Sequence, residues 1–238
     1  MFRATAHLYD LIYAAAGKDY AAESAEVHRL IQEHRPGARS LLDVACGTGG
    51  HLRHLRQWYE VTGVDLDLAM LDEAARHLPG VTLVAQDMED LDLGATFDAV
   101  VCLFSSIGYL PGRDALHRAA RSMARHLAEG GVLVVDGWVR PDAWRDDERV
   151  HVETAADDTT TVVRMSTSRR HGAVTQLEMH HLVGTAAGIE HVVEDHRLTL
   201  FAPEDYEDAF SGAGLALETV PGPLPGRDRY VGVKRRGG

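Results

Sequence analysis

Two acidic residues and a glycine-rich turn stand out in the first half of the sequence. Residues 41–49 read Leu-Leu-Asp-Val-Ala-Cys-Gly-Thr-Gly, so an apolar run reaches Asp43 and then opens into a turn with two glycines. A second apolar run, residues 61–64, ends at Asp65. Glycine lets the backbone approach a ligand closely because it has no Cβ, and a carboxylate after the second strand can accept hydrogen bonds from both ribose hydroxyls. This order of residues predicts a βαβ unit that binds a nucleoside.

Two nucleoside cofactors compete for such a unit. The dinucleotide fingerprint G-x-G-x-x-G needs a third glycine, but Leu52 stands at that position after Gly47 and Gly49. Asp43 would repel a pyrophosphate, whereas it suits a cationic amine such as the α-amino group of S-adenosylmethionine. We therefore expect S-adenosylmethionine rather than NAD. An ordinary strand–turn–helix, with glycines for tight packing, would leave both acids unexplained.

Three later apolar runs each adjoin a segment of small or polar residues. Residues 81–85 are followed by Gln86-Asp87-Met88, and residues 97–104 by Ser105-Ser106-Ile107-Gly108-Tyr109. Residues 132–135 are preceded by Gly130-Gly131. Together with the βαβ unit they resemble class I S-adenosylmethionine-dependent methyltransferases over about residues 40–136. The resemblance implies that Asp87 takes the adenine amino group and that Met88 covers the ring.

The predicted cofactor site combines these strand ends with the resemblance. Tyr20 is expected at the cofactor carboxylate, Asp43 at the amino group and Asp65 at the ribose. The full predicted cofactor-binding set is Tyr20, Asp43, Ala45, Gly47, Gly49, Asp65, Leu66, Asp87, Met88 and Phe104.

A narrower resemblance covers nearly the whole chain. The motifs that carry it are Tyr9-Asp10-Leu11-Ile12-Tyr13, Gly17-Lys18-Asp19-Tyr20, residues 43–49, residues 104–110, Thr199-Leu200-Phe201 and Tyr206-Glu207. They are similar to those of the TDP-aminosugar N,N-dimethyltransferases of macrolide antibiotic pathways. The resemblance implies that the acceptor is the amino group of a TDP-linked deoxy sugar, methylated twice. The chain departs from that pattern after the fifth strand, where Asp136-Gly137-Trp138 replaces a Glu-Pro-Trp-like sequence.

The acceptor site is predicted from residue chemistry at the same edge of the sheet. Tyr13 is the candidate catalytic residue at the transferring methyl group, and the alternative is an aromatic that packs a helix onto the core. Arginine donates in a planar fork that suits a diphosphate, which favours Arg227 and Arg229 in an acidic protein. The full predicted substrate-binding set is Ser105, Ser106, Tyr109, Trp138, His180, Arg227 and Arg229. His196 is a further candidate, and for both histidines a satisfied buried or surface position is the alternative.

Periodicity predicts how the chain is organised. Alternating strands and helices indicate an α/β fold, a doubly wound and mostly parallel seven-stranded sheet of Rossmann-like methyltransferase type, with an inserted antiparallel β meander. Helices are predicted at 4–16, 19–34, 49–59, 68–78, 113–128 and 203–214, antiparallel strands at 160–168, 173–183 and 190–201, and final strands at 215–220 and 229–234 around a 221–226 loop. The predicted segments are an N-terminal helical cover (1–36), a cofactor-binding core (37–140), an inserted substrate and dimer subdomain (141–201) and a C-terminal part of the core (202–238).

Composition limits the partners. The net charge is −12, from 36 acidic against 24 basic residues, which disfavours a broad nucleic-acid surface. We expect no metal site, no membrane span, no signal peptide and a cytoplasmic location, since the two cysteines lack a metal-ligand spacing and no apolar stretch is long enough. A homodimer through residues 150–200 is expected. Methylation of another small molecule, at nitrogen or oxygen, and a non-catalytic S-adenosylmethionine-binding partner protein remain as alternative functions.

Overall fold

The computed structural model describes residues 5–146, 149–222 and 224–235. Some predicted positions lie outside the described residues. They are Ala4, where the first helix was predicted to start, Pro223 of the predicted loop, and the outermost residues of the two predicted terminal segments. The helices are α1 (Ala6–Ala15), α2 (Tyr20–His34), α3 (Leu52–Leu55), α4 (Leu68–His77), α5 (Arg113–Arg125) and α6 (Pro203–Gly212), with 3₁₀ turns at Met88–Asp90 and Ser106–Tyr109. The strands are β1 (Ser40–Val44), β2 (Glu60–Asp65), β3 (Thr82–Ala85), β4 (Phe97–Cys102), β5 (Leu127–Asp136), β6 (His151–Ala156), β7 (Thr161–His171), β8 (Val174–Thr185), β9 (Gly188–Thr199), β10 (Leu215–Pro221) and β11 (Asp228–Lys234).

Seven strands form one sheet in the order β10-β11-β5-β4-β1-β2-β3. Strands β1 to β5 pair in parallel, and β11 is antiparallel to both β5 and β10. The central strands are buried on both faces, which is why Leu41, Leu42 and Val44 are consecutive or nearly consecutive apolar residues in the sequence. The predicted doubly wound, mostly parallel sheet is confirmed.

Helices cover both faces of this sheet. On one face, α5 and α6 pack side chains such as Leu116 and Phe210 onto the strands. On the other face, α2, α3 and α4 contribute Ile31, Leu52 and Leu71. No helix in the described part of the chain is long and apolar enough to span a membrane.

The predicted 49–59 helix is a single turn, Leu52–Leu55, and this prediction was too long. A turn with an i to i+3 hydrogen bond follows the helix, because the backbone N–H of Trp58 donates to the carbonyl of Leu55 at 3.0 Å. The helix must end early because β2 begins at Glu60, whose N–H donates to the carbonyl of Arg39 at 2.7 Å.

The inserted sheet has four antiparallel strands, β6-β7-β8-β9, rather than the predicted three. The additional strand, β6, lies at the edge and is mostly exposed, so its sequence lacks the apolar alternation that marks its neighbours. On the covered face of this sheet, Ala155, Val162 and Val183 pack against Leu8 and Ile12 of α1. The first helix therefore lies between the inserted sheet and the edge of the parallel sheet where the strands end.

Candidate active site

The turn after β1 adopts the conformation that a close-lying ligand requires. Ala45, Gly47 and Gly49 have φ values of 61°, 56° and 77°, in the left-handed region that glycine tolerates best. Asp65, at the end of β2, braces this turn, because its Oδ2 accepts a hydrogen bond from the N–H of Gly47 at 2.8 Å. Its Oδ1 accepts from the N–H of Asp67 at 2.8 Å. Each carboxylate oxygen keeps a lone pair for a ligand hydroxyl.

Asp43 and Asp65 place two buried carboxyl groups at this edge of the sheet. Burial raises the pKa of Asp43 well above its usual value, and the nearby carboxylates of Asp65 and Asp136 raise it further. Burial also raises the pKa of Asp65, although hydrogen bonds from Asp67 and Gly47 act against it. A ligand with positive charge would stabilise both carboxylates, and the sulfonium and ammonium groups of S-adenosylmethionine supply that charge. The residues present therefore fit this cofactor.

A cavity of about 630 Å³ opens beside the turn and continues toward the inserted sheet. At the cofactor end it is lined by Leu66, Asp87 and Met88, and the Leu66 side chain is 52% exposed. Asp87 caps the following 3₁₀ turn through Oδ1, which accepts from the N–H of Glu89 at 2.9 Å. A smaller recess extends the cofactor end and is lined by residues that include Tyr20, Asp43 and His51.

Helix α1 closes this edge as a cover. Its Asp10 accepts hydrogen bonds from Thr48 Oγ1 at 2.6 Å and from an Arg53 Nη at 2.5 Å, so the helix is fastened to the turn after β1. Tyr13 on the same helix lies edge-on to Phe104, with ring centroids 5.1 Å apart. Burial raises the pKa of the Tyr13 hydroxyl, and the positive charge of Arg164 opposes this effect. The hydroxyl is therefore a neutral hydrogen-bonding group within the cavity.

The loop after β4 is held in a strained conformation. Phe104 and Ser105 have φ values of 53° and 61°, which is unfavourable for residues with a Cβ. The N–H of Phe104 donates to Asp136 Oδ2 at 3.0 Å, and Ser105 Oγ donates to the carbonyl of Gly137 at 2.7 Å. Ser106 lines the cavity, whereas the buried Ser105 hydroxyl is used within the protein. The Ser105 hydroxyl thus holds the loop, and its predicted contact with the acceptor stays a prediction.

The two predicted diphosphate arginines have different environments. Arg227 lines the cavity, with its guanidinium carbon 4.1 Å from the centroid of the Trp138 ring. Burial lowers the pKa of Arg227, although the guanidinium remains charged. Arg229 is fully buried and pairs with Asp136 at 2.6 Å and with Glu26 at 3.4 Å. Arg229 is thus paired inside the protein, and its predicted contact with the acceptor stays a prediction.

His180 is also outside the cavity. Its Nε2 lies 2.9 Å from a carboxylate oxygen of Glu178, and its Nδ1 lies 2.9 Å from Nε2 of His191. These groups are on the outer face of the inserted sheet. The neighbouring His181 faces inward and is fully buried, since successive side chains of a strand point to opposite faces. The structure therefore places His180 away from the cavity, and its predicted contact with the acceptor stays a prediction.

Sequence reasoning missed the polar residues on the inner face of the inserted sheet. Arg164 of β7 forms an ion pair with Glu153 of β6, and its guanidinium lies 5.0 Å from the centroid of the Tyr13 ring. Alternate residues of the same two strands, His151 and Ser166 among them, also line the cavity. A sequence signal for these cavity-lining residues exists, namely polar residues at every second position from His151 to Glu153 and from Arg164 to Ser168.

Comparisons with known proteins agree with this geometry. Residues 41–131 match the family model described as a methyltransferase domain. The chain is 45% identical over 230 residues to dTDP-3-amino-3,6-dideoxy-alpha-D-glucopyranose N,N-dimethyltransferase of Streptomyces fradiae, which covers 96% of this chain and 90% of that protein.

Two solved structures are similar over almost the whole chain. The crystal structure of Streptomyces venezuelae DesVI superposes with a TM-score of 0.91 at 43% identity, covering 96% of this chain and 98% of that one. CalS10, described as an amino pentose methyltransferase from Micromonospora echinaspora involved in calicheamicin biosynthesis and solved with S-adenosylmethionine bound, has a TM-score of 0.86 at 41% identity. The similarity to CalS10 covers 95% of this chain and 96% of that one.

Proposed function

The chain belongs to the S-adenosylmethionine-dependent sugar N-methyltransferases, and from this premise we propose that it methylates the amino group of a TDP-linked deoxyaminosugar twice, in an antibiotic pathway. The observation that carries the proposal is one continuous cavity with two unlike ends. Asp65 lies at one end, beside the recess that Asp43 lines, and Arg227 over Trp138 lies at the other. The first end suits a cationic cofactor and the second a flat base with a diphosphate.

The cofactor end is assigned to the predicted residues. Asp65 would hold the ribose hydroxyls, Leu66 and Met88 would enclose the adenine, and Asp43 would face the amino group. When bound, S-adenosylmethionine supplies a methyl group on a sulfonium, open to in-line attack by an amine lone pair. The protein supplies alignment, which can lower such a barrier by ~7–11 kcal/mol. Turnover tests the proposal: an aminosugar nucleotide should be methylated, whereas methylation of a neutral acceptor instead would favour another small-molecule methyltransferase.

Tyr13→Phe is expected to reduce kcat by about 2- to 10-fold while leaving cofactor affinity unchanged. The hydroxyl is proposed to align the acceptor amine, and its loss removes about one hydrogen bond while the ring keeps its packing against Phe104. Steady-state kinetics at saturating cofactor would measure the change. Tyr59→Phe is the matched control, because Tyr59 hydrogen-bonds His28 away from the cavity. Wild-type kcat in Tyr13→Phe would show that Tyr13 serves as a packing aromatic.

The protein is also proposed to form a homodimer through the outer face of the inserted sheet, within the proposed 141–201 subdomain. One row of paired residues runs across the four strands of the inserted sheet: Val152 of β6, Met165 of β7, His180 of β8 and Val193 of β9. Beside this row, Val163 pairs with Leu182. This outer patch contains exposed apolar side chains, namely Val152, Met165, Leu182, Ile189 and Val193. Contiguous apolar surface of this kind usually marks a contact with another protein.

Light scattering at micromolar concentration is expected to give the mass of a dimer, and Leu182→Asp is expected to give a monomer, because a charge would enter the proposed contact. Thr159→Asp, in the β6–β7 turn outside the patch, is the control and should remain dimeric. A monomeric wild-type protein would contradict the assignment, and so would a dimer that Leu182→Asp leaves intact.

A further inference from the structure

Double methylation of an amine requires the loss of a proton between the two transfers. The first transfer to a neutral amine leaves a monomethylammonium, whose nitrogen has no lone pair until one N–H proton has gone. A second transfer is therefore faster if a group in the site accepts that proton. The candidate must line the cavity near the end of β4 and must connect to a base that stays ionised.

Tyr109 meets the first requirement. It lies in the 3₁₀ turn after β4 and lines the same cavity as Tyr13, Phe104 and Ser106. Burial raises the pKa of the Tyr109 hydroxyl, and the neighbouring hydroxyl of Tyr13 raises it further. The hydroxyl consequently stays protonated, so it can pass a proton on but cannot act as a lasting phenolate base.

A buried histidine and a buried glutamate lie behind Tyr109. The Tyr109 hydroxyl is 2.9 Å from Nδ1 of His196, and Nε2 of His196 is 3.5 Å from Oε2 of Glu194. His196 is 2% exposed and Glu194 is 7% exposed. Both oxygens of Glu194 accept from Thr5 Oγ1 at 2.9 Å. The three residues form a chain of polar groups that runs from the cavity into the protein.

The electrostatics of this chain favour proton movement inward. Burial acts to raise the pKa of Glu194, but the nearby His196 ring and the hydrogen bond from Thr5 outweigh it, so the pKa lies below its usual value. The carboxylate is therefore ionised, and its Oε2 lies 3.5 Å from Nε2 of His196. In the neutral state the ring proton of His196 is assigned to Nε2, facing Glu194, which leaves Nδ1 to accept from Tyr109.

We propose that Tyr109, His196 and Glu194 form a proton relay that deprotonates the monomethylated acceptor, an inference that rests on the proposed function. The N–H bond of the ammonium breaks as its proton passes to the Tyr109 oxygen, and the nitrogen keeps the electron pair. The hydroxyl proton of Tyr109 moves at the same time to Nδ1 of His196, which becomes an imidazolium beside the Glu194 carboxylate. The proton leaves to solvent when the site opens for cofactor exchange. Tyr109 is the catalytic residue of the relay, and His196 and Glu194 are positioning residues.

Other titratable and charged groups face the relay from the elements packed against it. Arg164 on β7 is positively charged, and burial lowers the pKa of His181 on β8, which keeps that ring neutral. The groups to be considered in any pH profile are Tyr9 and Tyr13 of α1, Asp65 of β2, Glu153 of β6, Arg164 of β7 and His181 of β8.

The test measures methylation of the amino and the monomethylamino acceptor by Tyr109→Phe and His196→Gln across neutral and alkaline pH. At neutral pH each variant is expected to lose about 10²-fold or more in kcat on the monomethylamino acceptor and to accumulate the monomethyl product. Activity should recover as the pH rises past the pKa of the amine, because solvent then removes the proton. KM should stay close to that of the wild-type protein.

Controls separate this role from a structural one. Tyr109→Phe retains the ring, so it tests the relay even if the buried His196→Gln variant fails to fold. His171→Gln, at the exposed last residue of β7, should match the wild-type protein at every pH. Losses that are equal at all pH values, or no loss in Tyr109→Phe, would overturn the relay. Absence of methyl transfer by the wild-type protein would overturn the proposed function itself.

Discussion

Replacement of Asp65 by alanine is expected to weaken the binding of S-adenosylhomocysteine by about 10- to 150-fold. Hydrogen bonds that involve a charged group contribute about 1.5–3 kcal/mol, which corresponds to this range. The carboxylate is proposed to accept from the ribose hydroxyls, and it also fixes the turn after β1 through the N–H of Gly47 at 2.8 Å. Its removal would therefore take away both a ligand contact and the support of the glycine-rich turn.

Calorimetric titration would measure this change directly. Asp72→Ala is the matched control, since Asp72 is an exposed acid on α4, the helix that follows β2. It removes the same charge from the same region, so it should bind the ligand as the wild-type protein does. If Asp65→Ala retained wild-type affinity while remaining folded, the ribose would have to be assigned to another part of the cavity.

Arg227→Ala is expected to raise KM for a TDP-linked acceptor by about 10- to 150-fold while cofactor affinity stays constant. Within the described residues, Arg227 makes no ion pair, and its guanidinium lies against Trp138 in the cavity wall. Because the half-buried Arg227 guanidinium has no acidic partner in the described part of the chain, it is available to bind a diphosphate. The negative charge of the diphosphate would also offset the cost of burying the guanidinium. The effect should fall on the acceptor because Arg227 lies over Trp138, whereas the residues proposed for the cofactor follow β1, β2 and β3.

Arg227→Lys is the informative comparison for this prediction. It keeps the charge but loses the planar fork, so an intermediate KM is expected. The same substitution at Arg229 should instead lower stability, because that guanidinium is buried with Asp136 and Glu26. Unchanged acceptor kinetics in Arg227→Ala would argue for an acceptor that carries no phosphate.

The cofactor half of the site could be predicted because its residues follow directly from strand ends. A carboxylate or glycine at the end of a parallel strand lies at the binding edge of the sheet, whatever the rest of the fold does. Asp43, Gly47, Asp65 and Asp87 are all found at that edge. The sequence contains both the strand and its end, so no tertiary information is needed.

The acceptor half could not be predicted in the same way, because strand side chains alternate between two faces. His180 and His181 are adjacent, and a choice between them depends on which face of the inserted sheet is covered by α1. Arg227 and Arg229 differ similarly: Arg227 precedes β11 and stays in the cavity wall, while Arg229 enters the strand and pairs with Asp136. The contact between α1 and the inserted sheet settles the choice between the two histidines, and the pairing with Asp136 and Glu26 settles the place of Arg229. Both join residues far apart in sequence.

Mass spectrometry of a TDP-aminosugar incubated with the protein and S-adenosylmethionine is the direct test of the proposed dimethylation. We expect a sugar nucleotide heavier by two methyl substitutions on nitrogen, with two molecules of S-adenosylhomocysteine formed for each product, and a transient monomethyl species. Unmodified sugar nucleotide after prolonged incubation of a protein that demonstrably binds S-adenosylhomocysteine would contradict it, and would favour a cofactor-binding protein without this activity.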